Sequence, residues 1–282
     1  MENDRIVNVA SVPQRSPFRY PGGKTWLVPQ IRQWLSSKEQ RPREFVEPFA
    51  GGAIASLTVA FEHLAQHVIM VELDEVVAAV WHTILGGEGK WLAERILSFE
   101  FSYDNVQKML SSTPKTLRER AFQTILKNRV YHGGILADGA GLIKNGENGK
   151  GIKSRWYPET LRKRILNIVA IKNRMAFVQG DGIGIIKEKR SSADVVFFID
   201  PPYTAGGKRA GTRLYTHFDL DHEKLFKIVS GIKGDFLMTY DNAEEIRDWA
   251  RRHKFQIREI AMKGTHHTKM NELLISRDLG WL

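Results

Sequence analysis

The chain has 282 residues, 42% of them hydrophobic, with 42 Lys and Arg against 32 Asp and Glu and no Cys. That length permits one large globular domain or a domain carrying an insert, and the lack of Cys excludes disulfides and thiolate metal sites. No run approaches the roughly 20 apolar residues of a membrane helix, and the opening residues lack a basic start followed by an apolar stretch. The expectation is a soluble, cytoplasmic protein with no membrane partner. Residues 144–174 hold nine basic and two acidic side chains and so supply seven of the ten net positive charges. Such concentration points to phosphate contacts, although a solvated helix face has the same pattern.

In chain order, a polar, irregular start leads to the turn Pro21-Gly22-Gly23, and the apolar spacing of Trp26, Leu27, Ile31, Trp34 and Leu35 predicts a helix over 24–35. Pro29 fits there only in a first turn. Phe45-Val46 reads as a short strand, followed by the glycine turn Glu47 to Gly52 and a helix over 53–65. A second strand over 68–73 ends among Glu72, Asp74 and Glu75, and a helix over 76–85 follows. Two βα units in succession predict a parallel, doubly wound sheet. Residues 86–128 are helical and charged, with a break at Thr113-Pro114, and the glycine-rich stretch 133–151 reads as loop or hairpin. The α/β pattern resumes with a helix over 161–174 and strands over 176–179 and 195–199. Strands over 236–239 and 273–275 and helices over 222–232 and 243–253 complete it.

The sharpest feature is Asp200-Pro201-Pro202-Tyr203, placed directly after the five apolar residues Val195 to Ile199. Such a run suits a strand buried on both faces, and an open α/β sheet presents its ligand crevice at the carboxyl ends of its strands. An amino group conjugated to an aromatic base is a poor nucleophile because its lone pair is delocalised into the ring. A carboxylate and a nearby backbone carbonyl can accept both its hydrogens and aim the lone pair at an electrophile. Pro201 has no N–H to compete, Pro202 stiffens the turn, and Tyr203 offers a face on which an everted base could stack. A plain Pro-Pro strand exit with Tyr203 in the core would use the same residues.

Together with Phe18-Arg19-Tyr20-Pro21-Gly22-Gly23-Lys24 and Phe45-Val46-Glu47-Pro48-Phe49-Ala50-Gly51-Gly52, this tetrad resembles the Dam-type DNA adenine-N6 methyltransferases. The resemblance covers motif order and spacing from Phe18 to the strand near Leu274. It implies an S-adenosylmethionine-dependent α/β fold with a doubly wound, mostly parallel sheet and a helical target-recognition insert. The catalytic domain would comprise residues 16–85 and 173–282, and the insert residues 86–172. The implied reaction is site-specific methyl transfer to the N6 amino group of adenine in double-stranded DNA, with base flipping and a place in restriction-modification.

Carried onto this chain, the resemblance makes Asp200, Pro201, Pro202 and Tyr203 catalytic. Tyr20, Gly23 and Lys24 would meet the cofactor, with Lys24 toward its carboxylate, and Glu47, Pro48, Phe49, Gly51 and Gly52 would border its methionine part. Glu72 stands where the family holds the ribose hydroxyls; the family more often has Asp there, and Asp74 is the alternative. Asp181 either contacts the cofactor's adenine ring or caps a helix, and Asp200 also borders the cofactor. DNA would be met by Lys144, Asn145, Lys150, Lys153, Arg155 and Arg164 in the insert and by Lys208 and Arg209 after the tetrad. Trp156 reads as packing, and Phe218 as a helix-entry aromatic.

The spacing of His266-His267 does not chelate one ion, so no metal is expected. A P-loop would need glycine where Phe18 stands, and no G-x-G-x-x-G follows the first strand. Two other functions fit the same residues: amino methylation of RNA, and nucleic-acid binding without turnover. The recognition sequence, any partner endonuclease and the oligomeric state are not legible in the chain.

Overall fold

The computed structural model describes residues 9–20, 22–137, 139–146, 149–202, 220–263 and 269–282. Seven strands form one sheet in the order β3-β2-β1-β4-β5-β7-β6. These are β1 (Glu44–Glu47), β2 (His67–Glu72), β3 (Met175–Gln179), β4 (Val195–Ile199), β5 (Asp235–Asp241), β6 (Gln256–Lys263) and β7 (Lys269–Ser276). The first five are parallel, and β7 pairs antiparallel with both β5 and β6. The expected doubly wound, mostly parallel architecture is therefore present.

Two-residue periodicity explains why helices cover both faces. Phe45, Val68, Met70, Val196 and Phe198 enter one apolar cluster, while Val46, Ile69, Val71, Val195, Phe197 and Ile199 enter the other. Burying one such side chain contributes about 1.5–3 kcal/mol. The first cluster is covered by α1 (Val28–Ser36), α2 (Ile54–Phe61) and α3 (Glu75–Thr83), and the second by α8 (Gly182–Lys189), α9 (His222–Ser230) and α10 (Glu244–Arg252). The order in which strands are added reverses between the parallel neighbours β1 and β4, so the crevice at their carboxyl ends is the expected ligand position.

Between α3 and β3 lie α4 (Gly89–Leu97), α5 (Tyr103–Ser111), α6 (Leu117–Val130) and α7 (Pro158–Ala170). Leu92, Val106, Phe122, Ile125 and Ile165 from these helices belong to the same cluster as Phe45 and Val196. The segment 86–172 thus adds to the core under one sheet face. Its glycine-rich stretch closes on itself, with the backbone N–H groups of His132 and Ile143 donating to Gly141 and Val130 at 2.9 and 2.8 Å. Trp156 stacks on Phe101 with ring centroids 5.2 Å apart, as the packing reading expects.

Some boundaries move. The helix expected from Lys24 starts with a single 3-10 turn at Thr25–Leu27 before α1, and Pro29 falls in the first turn of α1. The helix expected over 161–174 begins at Pro158 and ends at Ala170. Strand β6 has no strand signal in the sequence, because its edge position leaves Arg258 and Glu259 exposed and little apolar alternation to read. Among the described residues, no helix is long and apolar enough to cross a membrane.

One buried side chain fastens the start of the chain to the helical segment. Asn128 on α6 accepts from the Arg19 backbone N–H at 2.8 Å and donates to the carbonyls of Arg19 and Gly134 at 2.9 and 2.6 Å. Replacing Asn128 by Ala removes all three bonds from a solvent-excluded position. It should lower unfolding stability by about 2–4 kcal/mol, read as a shift of the urea midpoint; a midpoint unchanged from wild type would contradict the fastening role.

Candidate active site

The crevice between β1 and β4 opens into a cavity of ≈ 470 Å³. Every residue expected to border the cofactor lines it: Tyr20, Gly23 and Lys24 from the leader, Glu47, Pro48, Phe49, Gly51 and Gly52 from the β1 turn, and Glu72, Asp74, Asp181 and Asp200 from the ends of the neighbouring strands. Pro202 lines it as well, and Pro201 is buried beside them. Tyr203, Lys208, Arg209, Arg213, Phe218, His266 and His267 lie outside the described residues.

The β1 turn is shaped by close contact with the leader. Gly51 has φ +46°, and a Cβ there would stand 2.5 Å from the Tyr20 ring; at Gly52 it would stand 2.7 Å from the Tyr20 Cβ. Both glycines are therefore required by the tyrosine lying on them, in addition to any ligand. Ala53, the next residue, is also left-handed at φ 53°, a conformation costing an L-residue about 1 kcal/mol or more. The turn is held by the Ser16 hydroxyl, donating to the Gly52 carbonyl at 2.5 Å, and by the Trp81 indole N–H, donating to the Gly51 carbonyl at 2.9 Å.

Four carboxylates face this turn with different duties. Glu47 is buried and accepts from the Ser56 backbone N–H at 2.9 Å. Burial, reinforced by the charges of Asp200 and Glu72, pushes its carboxyl up to about 8 against the pull of that hydrogen bond. Glu72 accepts from the backbone N–H groups of Gly51 at 2.8 Å and Asp74 at 2.9 Å, and burial raises its carboxyl too. Asp74 caps α3 by accepting from Val76 at 2.9 Å, and Asp181 caps α8 by accepting from Ile183 at 2.9 Å. Capping and a place on the cavity wall hold together for Asp181, since a carboxylate has about four acceptor sites.

Asp200 leaves the end of β4 and meets both strand β5 and the leader. Its Oδ1 accepts from the Thr239 hydroxyl at 2.6 Å and lies 3.0 Å from the Lys24 ammonium. Lys24, only 3% exposed, also donates to the Gly22 carbonyl at 2.9 Å and stands 3.5 Å from Glu272. Behind this group the Tyr240 hydroxyl lies 3.0 Å from His222 Nδ1. Burial, together with the charge of Asp200, raises the Tyr240 hydroxyl above its usual range.

The opposite wall is cationic. Arg19, Arg129, Arg155 and Arg164 line the cavity with Tyr157 and Thr160. Arg129 on α6 is 4% exposed, donates to the Pro17 carbonyl and leaves its Nε without a partner. Burial, then the like charges of Arg164 and Arg19, lowers its guanidinium to about 9. Arg164 donates to the Ser16 carbonyl at 2.9 Å, so it is tied into the cavity wall rather than spread on an outer face. Of the other residues expected to meet DNA, Arg155 shares this wall, whereas Lys144, Asn145, Lys150 and Lys153 are exposed and outside the lining. Ser16, Arg129, Thr239 and Glu272 were not legible as site residues: each arrives through tertiary packing and carries no local motif. Among the described residues, no group of three or more His, Asp or Glu side chains is arranged to hold a metal.

No protein among the curated ones compared matches the chain. Solved structures resemble it at low identity. A Pyrococcus horikoshii protein named as an RNA methyltransferase shares 11% identity at TM-score 0.41 over 95% of this chain and 92% of its own. The rRNA methyltransferase aviRa of Streptomyces viridochromogenes shares 12% at TM-score 0.40 over 96% and 93%. A methyltransferase of Geobacter sulfurreducens shares 12% at TM-score 0.38 over 89% and 76%. The family model of the D12 class N6 adenine-specific DNA methyltransferases matches residues 20–121, from the leader through the β1 turn and Glu72 into α6. That match supports a methyltransferase and bears out the family resemblance over residues 20–121.

Proposed function

We propose that the chain is a DNA adenine-N6 methyltransferase using S-adenosylmethionine. The observation that carries this reading is Asp200 at the end of β4, ion-paired to Lys24 and opening on the same cavity as the Tyr20–Gly51–Gly52 turn. The donor set fits the cofactor. Glu72 and Asp74 would offer acceptors to ribose hydroxyls, Asp181 would meet the adenine, and Lys24 would supply a cation toward the carboxylate. When bound, the cofactor supplies an electrophilic methyl group.

The residues of the chain do the rest. Asp200 and the Pro201 carbonyl accept the two hydrogens of the target amino group and turn its lone pair toward the methyl. Glu47 and Asp200 divide two roles between two carboxyls. The Glu47 carboxyl, held up to about 8, is mainly neutral at pH 7, whereas Asp200 is ion-paired and carries the negative charge. Arg129, buried among like charges with its Nε without a partner, supports a phosphodiester backbone as the ligand at this wall. The exposed Lys144, Asn145, Lys150 and Lys153 would extend that contact along the duplex. Family membership over residues 20–121 favours DNA over RNA.

Labelled methyl transfer to duplex DNA and to structured RNA tests the reading directly: transfer to N6 of adenine in DNA is expected, and transfer only to RNA would refute it. Asp200→Ala should lower kcat by at least about 10²–10³-fold while cofactor affinity changes little; unchanged turnover would remove Asp200 from the chemistry. Glu47 gives a pH signature. Its folded carboxyl binds a proton that the unfolded chain has already released above about pH 4.5, so its contribution reduces stability as pH rises toward 8. Glu47→Gln should flatten the stability profile between about pH 5 and 8, and an identical slope would contradict the buried neutral carboxyl. Arg155→Ala should reduce the salt dependence of DNA binding by about one unit of log–log slope; an unaltered slope would take Arg155 out of the phosphate contacts.

A further inference from the structure

Lys24 is nearly buried yet stands between two carboxylates on different strands, Asp200 after β4 at 3.0 Å and Glu272 on β7 at 3.5 Å. Glu272 is itself 7% exposed and sits opposite Asp241 in the β5–β7 register. Like charges directly opposite across a sheet repel, and a buried acid needs a compensating partner, so Glu272 is an expensive residue to keep at this place. The groups facing Asp200 are Lys24 from the leader, Thr239 and Tyr240 from β5, Glu47 from β1 and, through Lys24, Glu272 from β7.

Resting on the reading of Asp200 as the acceptor of the target amino group, we propose that Glu272 is a positioning residue that shares Lys24 with Asp200 and so keeps Asp200 a charged acceptor. An ammonium paired to Asp200 alone would make a neutral couple and a weak acceptor. With Glu272 on the same ammonium, the trio of Lys24, Asp200 and Glu272 has a net charge of about −1. As the amino nitrogen forms its bond to the methyl carbon, the methyl–sulfur bond breaks with its electron pair on sulfur. The nitrogen is then positive until it sheds a proton, and the negative trio stabilises that charge and accepts or passes on the proton. Glu272 also keeps a second carboxylate beside Lys24 at the moment Asp200 turns to its substrate.

A double-mutant cycle with Glu272→Gln and Lys24→Met decides this. Glu272→Gln keeps the shape of the side chain and removes its charge. It should lower kcat for methyl transfer about ten-fold or more while the cofactor Kd, measured by calorimetry, stays within about three-fold. In the Lys24→Met background the same change should alter kcat by less than about two-fold, because the route through Lys24 is already gone. Stability supplies a readout that needs no substrate. Lys24→Met removes the ammonium that both Asp200 and Glu272 face, so the double variant, with one of the two charges gone, should unfold at a higher urea concentration than Lys24→Met alone. Additive effects on kcat, or a double variant less stable than Lys24→Met, would overturn the proposal. If the wild-type protein transferred no methyl to DNA adenine, the functional reading would fall, and the urea cycle would still decide whether Glu272 acts on Lys24.

Discussion

The ion pair between Lys24 and Asp200 ties the leader to the centre of the sheet, and both residues line the cavity. Lys24 comes from a leader whose described residues hold only short 3-10 turns before α1. The contacts that hold that leader include Tyr20 against Gly51 and Gly52, Arg19 on Asn128, and Lys24 on Asp200 and Glu272. Each contact reaches a different part of the fold. Withdrawing the leader would open the crevice at the ends of β1 and β4 and leave a buried carboxylate and the glycine turn facing water.

Segment 86–172 enters the same site from the other side. Its apolar residues continue the core beneath one sheet face, which fixes α6 and α7 firmly enough to carry Arg129 and Arg164 into the cavity wall. An insert joined only by linkers would have no means of holding the buried guanidinium of Arg129 beside the half-buried one of Arg164, since their repulsion and desolvation would push them into solvent. Here the carbonyls of Pro17 and Ser16 accept from them. The leader therefore supports the cationic wall with its backbone and the acidic wall with the Lys24 side chain.

The sequence made some of this legible because the relevant signals are local. Val195 to Ile199 is bounded by acids and reads as the central strand it forms, and the placement of Asp200 follows from the strand's length alone. The glycines after Phe49 announce a tight turn, although the contact that demands them, with Tyr20, is visible only in three dimensions. Glu72, Asp74 and Asp181 were found by position after strands, yet their backbone caps depend on helix starts that sequence reading places within a residue or two. Arg129 and Glu272 carried no signal at all. One is a basic residue in a charged helix and the other an acid at the start of an apolar run, and both look like solvent-facing positions until the sheet and the leader cover them.

The two walls of the cavity have opposite charge, and on the proposed function that division does more than attract ligands. An acidic wall favours a sulfonium over the neutral thioether that remains after transfer, so the site holds the reactive cofactor better than the spent one. A cationic wall opposite favours a phosphodiester and disfavours a second cation. Placing both signs in one small volume would ordinarily end in direct pairing between them. In this fold Arg164 and Arg129 are anchored on the backbone carbonyls of Ser16 and Pro17, Glu72 on a backbone N–H group and Asp200 on Lys24. The separation of charge is maintained by main-chain hydrogen bonds, which leave both walls poised for ligands that carry the complementary charges.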